Sequence, residues 1–172
     1  MNDSSSMSAV DAVLTKRDVR HYQNKPVSDE HRERLIQAAR MAGSAKNAEV
    51  NRLMLIDDAE VAERLAGAGD FSAWIGSAPL IIGFVTPFEF DRPFDVGRMA
   101  QNTMIVAHSL GLATCPVTLH HEDITRAILG IPEDHHMLMV VTVGYPVADA
   151  PPSPLKRVRV GSDELVHENA WR

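Results

Sequence analysis

Apolar residues recur along the chain in two periods, and the switches between them divide it into helices and strands. Residues 1–8 are polar and are expected to fray, after which Ala9–Lys16 reads as a short helix with Val10, Val13 and Leu14 on one side. Ser28 is a good N-cap, Asp29 and Glu30 suit a first turn, and Leu35, Ile36, Ala38, Ala39 and Ala42 give the buried face of a helix ending at Gly43. Asn51–Ile56 reads as a short strand, and Ala59–Ala68 as a helix stopped by Gly67 and Gly69. Ala78–Val85 is apolar on both faces, which places that strand at the centre of a sheet.

Thr86–Phe94, with two prolines and three phenylalanines, is expected to be a loop that covers a ligand or a partner chain. From Asp95 the period becomes helical. Val96, Met99, Ala100, Thr103, Ala107 and Leu110 make one stripe, while Met104, Ile105 and Val106 extend it nearly all round, so this helix should be enclosed. Leu112–Leu119 reads as a strand, Glu122–Leu129 as a helix stopped by Gly130 and Pro132, and Met137–Tyr145 as a buried strand. The strands do not alternate strictly with single helices as a doubly wound sheet requires, so the expected class is α+β, with one domain over residues 9–172. The tail from Ala150 onward is too apolar to be idle.

Composition narrows the functions. The formal charge of −6 and the lack of a long basic run argue against a nucleic-acid partner. A single cysteine, Cys115, precludes an internal disulfide, no secretory pattern opens the chain, and no apolar run has the roughly 20 residues that span a bilayer. A cytoplasmic protein without a membrane span is the expectation. No G-x-S-x-G, phosphate-binding P-loop or G-x-G-x-x-G is present. His120-His121 and His135-His136 point apart as neighbours and lack carboxylates at ligand spacing, so no metal is expected. Cys115 sits in an apolar strand and reads as a buried thiol.

Two kinds of segment remain as candidate chemistry. Lys16, Arg17 and Arg20, and in the tail Lys156, Arg157 and Arg159, are either solvated surface charge or an anion clamp. Gly43-Ser44-Ala45-Lys46-Asn47 is either a plain turn or one that hydrogen-bonds a flat polar ligand.

The order of these pieces resembles the FMN-dependent nitroreductase and flavin reductase family over residues 9–172. Lys16-Arg17-Asp18-Val19-Arg20-His21-Tyr22 is similar to the family's Arg-Arg-Ser-x-Arg-x-Phe segment, and Ala42–Asn51 to its Ala-Pro-Ser-x-x-Asn-x-Gln-Pro-Trp segment. Ala78–Val85 resembles its Ala-Pro strand, Asp95–Asn102 the start of its long helix, and Gly111–Pro116 its Gly-Leu-Gly strand. Leu129–Pro132, Val143–Pro146, and Arg157-Val158-Arg159 with Glu164–His167 resemble its closing markers.

The resemblance implies an α-β-α sandwich around a short mixed, mainly antiparallel sheet, with the C-terminal extension exchanged in a homodimer. It implies FMN held by Lys16, Arg17, Asp18, Arg20, Arg157 and Arg159, and by Pro116, Val117, Thr118 and Leu119 along the ring, with the Thr118 backbone N–H near flavin N5. Gly43, Ser44, Ala45 and Asn47 would reach the flavin of the partner chain. NADH or NADPH would give hydride to flavin N5, and a small acceptor such as a nitro compound, quinone or flavin would be reduced, with no catalytic side chain.

Three departures stand out. Asp18 replaces a serine and would face the phosphate unless Arg17 or Arg20 pairs with it. Glu49-Val50-Asn51 replaces Gln-Pro-Trp, and the chain is too short for the helical excursion that covers the flavin in many relatives. Alternative readings are therefore an FMN carrier or flavin-modifying protein, and a dimeric scaffold that binds no flavin.

Overall fold

The structure is a computed structural model that describes residues 7–90, 92–150 and 158–171. Its centre is a four-stranded sheet of β1 (Arg52–Ile56), β2 (Leu80–Pro87), β3 (Ala113–Val117) and β4 (His135–Gly144) in the order β1-β2-β4-β3. Every ladder between these strands is antiparallel, and the one parallel pairing among the described residues is the bridge from Asp18 to Thr114. As its unbroken apolar run required, β2 occupies the interior of the sheet, buried on both faces from Leu80 to Thr86.

Alternation along the central strands builds two cores. Leu80, Ile82, Phe84, Val141 and Val143 face one way, against Leu35 and Ala39 of α2 (Asp29–Arg40) and Val96, Ala100, Met104 and Ala107 of α4 (Pro93–Ser109). Ile81, Val85, Met137 and Val140 face the other way, against Ala62, Leu65 and Ala66 of α3 (Ala59–Ala66), Ile75, Leu119 and Ile131. The 3-10 turn Ala73–Ser77, which has no periodic signal, closes this second layer beside α5 (Glu122–Leu129). The result is the three-layer α+β sandwich. At the register shift between Phe84 and Val85 the extra residue is on β4, which puts Met137 on the same side as Val140, and a side chain at Gly83 would collide with Met137.

Ser28 caps α2 as expected, its Oγ accepting from His31 N–H at 3.3 Å. Ser28→Ala is expected to destabilise the protein by about 1 kcal/mol, read as a lower denaturation midpoint at constant slope. Gly130 ends α5 in the left-handed conformation, with φ 65°.

Several expectations need correction. Ser8 does not belong to a frayed start, because its Oγ caps α1 (Ala9–Thr15) by accepting from Asp11 N–H. Val10, Val13 and Leu14 are exposed, and α1 buries Ala12 instead, so its apolar stripe has no cover among the described residues. Residues 86–94 are not one loop. β2 runs on to Pro87, Phe88–Phe90 form a 3-10 turn, and α4 starts at Pro93, where proline's missing N–H costs nothing. Nor do the described residues enclose α4, since Ile105 and Val106 are half-buried and Gly97, Arg98, Gln101 and Asn102 are exposed.

Candidate functional site

The first half of the site lies on the outer edge of β3. Leaving α1, the chain passes Lys16–Arg20 beside β3, bridging Asp18 to Thr114 and donating Val19 N–H to Thr114 O at 3.0 Å. Asp18 pairs with neither expected arginine. In the extended segment residues 16 and 18 share a side, and the Lys16 ammonium holds the Asp18 carboxylate while also lying 3.4 Å from Met104 Sδ. Arg17 turns back and donates to Leu14 O at 3.0 Å and Lys16 O at 2.7 Å, satisfying carbonyls at the end of α1. Arg20 lies 5.2 Å above the centre of the Trp74 ring. Lysine thus neutralises the Asp18 carboxylate, with two cations left over.

Behind this edge, Tyr22 OH donates to Val19 O at 2.6 Å and lies 2.7 Å from Thr142 Oγ1, which donates to Cys115 O at 3.1 Å. Burial pushes the Tyr22 phenol far above its usual range. Burial also pushes the Cys115 thiol up, against the pull of the Arg20 guanidinium, which agrees with a structural thiol rather than a nucleophile.

Pro116, Val117, Thr118 and Leu119 continue from this edge. The ladder to β4 ends at Val117, so Thr118 is the first residue beyond it and is exposed, while Leu119 is buried. Next come His120 and His121, joined to Asp70 in a way that spacing alone did not reveal. Asp70 N–H donates to His120 Nδ1 at 3.3 Å, which leaves the His120 proton on Nε2, and His121 Nε2 lies 3.0 Å from Asp70 Oδ1. Phe71 stands exposed against His120, edge to face.

The second half is the turn after α2. Ser44 Oγ accepts from Glu49 N–H at 3.1 Å, and Lys46, Asn47 and Glu49 all have positive φ, between 48° and 55°. Gly43 is covered by the Arg98 guanidinium and leaves no room for a side chain. Gly43, Ser44, Glu49 and Asn51 line a cavity of about 290 Å³ with Ile36, Leu53, Asp95 and Met99.

The two halves do not meet within one chain. The turn precedes β1 at one edge of the sheet, and Lys16–Arg20 lie one strand position beyond β3 at the other, about 19 Å from β1 at the usual strand spacing. They also stand at opposite parts of α4, near Asp95 and Met104. Arg157 lies outside the described residues. Arg159 is exposed, in a tail that also exposes Val158, Val160, Leu165, Val166 and Trp171. Among the described residues no group of three or more His, Cys, Asp or Glu is placed to hold a metal ion, and no helix is long and apolar enough to cross a membrane.

The model of the nitroreductase family matches residues 13–69 and 86–145, which include the cationic edge, the turn, α4 and β3. The chain belongs to the nitroreductase family. It is 24% identical over 182 residues to a Vibrio harveyi protein named NADPH-flavin oxidoreductase, covering 95% of this chain and 74% of that one. It is 26% identical over 144 residues to an Archaeoglobus fulgidus protein named putative NADH dehydrogenase/NAD(P)H nitroreductase, covering 78% and 83%. In three dimensions it superposes on the Vibrio harveyi NADPH:FMN oxidoreductase complexed with NAD+, with a TM-score of 0.84, 26% identity and coverage of 95% and 78%. A Parabacteroides distasonis relative with a TM-score of 0.85, 22% identity and coverage of 95% and 98% has the same fold. The nitroreductase match omits residues 70–85, the stretch that holds Asp70, Phe71 and Trp74. These contacts to the site therefore come from outside the matched residues.

Proposed function

We propose that this chain is an FMN-dependent oxidoreductase that takes electrons from NADH or NADPH and passes them to a small acceptor such as a nitro compound, a quinone or a flavin. It works as a cytoplasmic homodimer with two flavin sites between the chains. The reading is carried by one observation: in a nitroreductase-family chain, Lys16, Arg17 and Arg20 run along the same open strand edge as Pro116–Leu119.

The residues fit FMN. A phosphate of charge near −2 calls for convergent cations, and Lys16, Arg17 and Arg20 offer three beside one carboxylate. Thr114, at the bridge to Asp18, is buried behind these cations, so the edge offers them a closed wall rather than a second anion. Arg157 and Arg159 would add to the clamp. Pro116–Leu119 would flank the ring, with Thr118 N–H directed at N5. Gly43, Ser44, Ala45 and Asn47 would close the site from the second chain.

Bound FMN would supply the two-electron carrier between nicotinamide and acceptor. The chain's own part is to hold the phosphate with cations, to offer a fixed backbone donor at Thr118, and to shut the site between two chains. No side chain here is an obligatory acid or base. Replacing His120, His121 or Cys115 conservatively is expected to lower kcat by less than about 10³-fold, and a larger loss would contradict this mechanism.

The direct test is an absorbance spectrum from about 300 to 550 nm, a range that spans the flavin bands, taken with FMN and then with NADH in the absence of oxygen. Flavin bands that bleach support the reductase. Bands that persist favour the carrier or flavin-modifying reading, which the altered Glu49–Asn51 wall keeps open, and a protein that takes up no FMN contradicts both.

A further inference from the structure

We infer that Asp95 is a positioning residue: its carboxylate pins the turn Gly43–Asn47 in the shape that completes the flavin site of the second chain. The inference rests on the proposed two-chain site and concerns a residue to which that reading gives no role.

Asp95 is the one carboxylate among the buried polar and charged side chains of the described residues, with 3% of its surface exposed. A carboxylate is seldom left inside a protein without a task. Its Oδ2 accepts from Ala45 N–H at 2.9 Å, and it sits in the first turn of α4, where the helix dipole favours negative charge. Among the described residues this is the hydrogen bond that ties Gly43–Asn47 to another element of the fold, since the others made there stay within residues 39–49.

The turn needs such a tie. Lys46 and Asn47 have φ of 55° and 52°, a conformation that ordinary residues adopt reluctantly and hold only when their surroundings impose it. The same face of α4 supplies the neighbouring contacts. Arg98, one turn on, packs its guanidinium over Gly43, and Asn102, one turn further, donates from Nδ2 to Ala38 O at 3.2 Å at the end of α2. A stripe at 95, 98 and 102 thus grips the end of α2 and the turn that follows it. Asp95 holds Ala45, between Ser44 and the left-handed pair Lys46-Asn47, and so it controls where Ser44 and Asn47 point.

The test compares Asp95→Ala, which removes the acceptor, with Asp95→Asn, whose side-chain oxygen can still accept from Ala45. A third variant, Ala45→Pro, deletes the donor instead. It leaves the carboxylate in place and suits the first position of the 3-10 turn, because Ser44 is already extended at φ −121° and ψ 155°. In flavin-free protein, hydrogen exchange at the Ala45 amide should accelerate at least tenfold in Asp95→Ala and stay near wild type in Asp95→Asn. FMN titrated by fluorescence quenching should bind at least tenfold more weakly to Asp95→Ala and Ala45→Pro, and within threefold of wild type to Asp95→Asn.

If both weakened variants bind FMN as wild type does, the inference is wrong and Asp95 serves stability alone, which melting without flavin would then show. Asparagine behaving like alanine would also overturn it, since the acceptor would not be what matters. Should wild type itself take up no FMN, the proposed function falls. The exchange rate at Ala45 would still decide whether Asp95 pins the turn.

Discussion

A mixed dimer of two disabled chains is expected to recover one tight FMN site. The first chain carries Lys16→Ala and Arg20→Ala, removing two cations from the β3 edge; the second carries Ser44→Ala and Asn47→Ala, stripping the polar side chains from the turn. Hydrogen bonds to charged groups contribute about 1.5–3 kcal/mol each, so the first homodimer should bind FMN at least about 100-fold more weakly. Loss of two neutral contacts should cost the second about tenfold or more. When the chains are co-expressed with different tags and the heterodimer is isolated, one of its sites combines an intact edge with an intact turn, and the other combines both defects. Titration should find half the sites at wild-type affinity. Such recovery cannot occur if each chain builds its site alone, and a heterodimer no better than its parents would remove the two-chain site.

Phe84→Ala is expected to destabilise the fold by about 3–5 kcal/mol, the usual result of emptying a buried phenylalanine site. Phe84 is fully buried in β2, in the core shared with α2 and α4, and the strand pairs on both sides leave the backbone little freedom to collapse into the gap. Since a protein of this size has about 5–15 kcal/mol in all, the loss should appear as a fall in Tm of roughly 10 °C. Thermal and denaturant unfolding of the flavin-free protein measure it. A loss under about 1 kcal/mol would mean that the core between the sheet and α4 repacks easily.

Much of the architecture follows from local pattern. Glu122–Leu129 is legible because its stop signals, Gly130 and Pro132, are local, and β2 because an apolar run between turn residues fits the interior of a sheet. The start of α4 at Pro93 carried a signal as well, proline being at home in a first helical turn, but the surrounding phenylalanines made the segment read as loop. What periodicity cannot say is what covers an apolar face. Val10, Val13 and Leu14 form the stripe that the sequence implies, yet nothing among the described residues buries them.

The same division holds at the site. The cations, the turn and Pro116–Leu119 could be recognised as segments, because each carries its residue types contiguously. The contacts that organise them could not. Ala45 and Asp95 are fifty residues apart, as are Asp70 and His120, and Arg20 meets Trp74 through space alone. Asp18 is instructive in another way. Its partner is two residues away, on the same side of an extended segment, and the alternation rule names Lys16 once that segment is known to be extended.

With the turn and the cationic segment at opposite edges of the sheet, the proposed two-chain site would make cofactor retention a question of mass action. If the proposed two-chain site holds, it exists only in the dimer, so dilution that separates the chains would release FMN, and FMN would in turn draw the chains together by the same free energy. Apparent affinity would then depend on protein concentration as well as flavin concentration. A cell that makes little of this protein would keep it largely empty, and one that makes more would load each added chain more completely than the last.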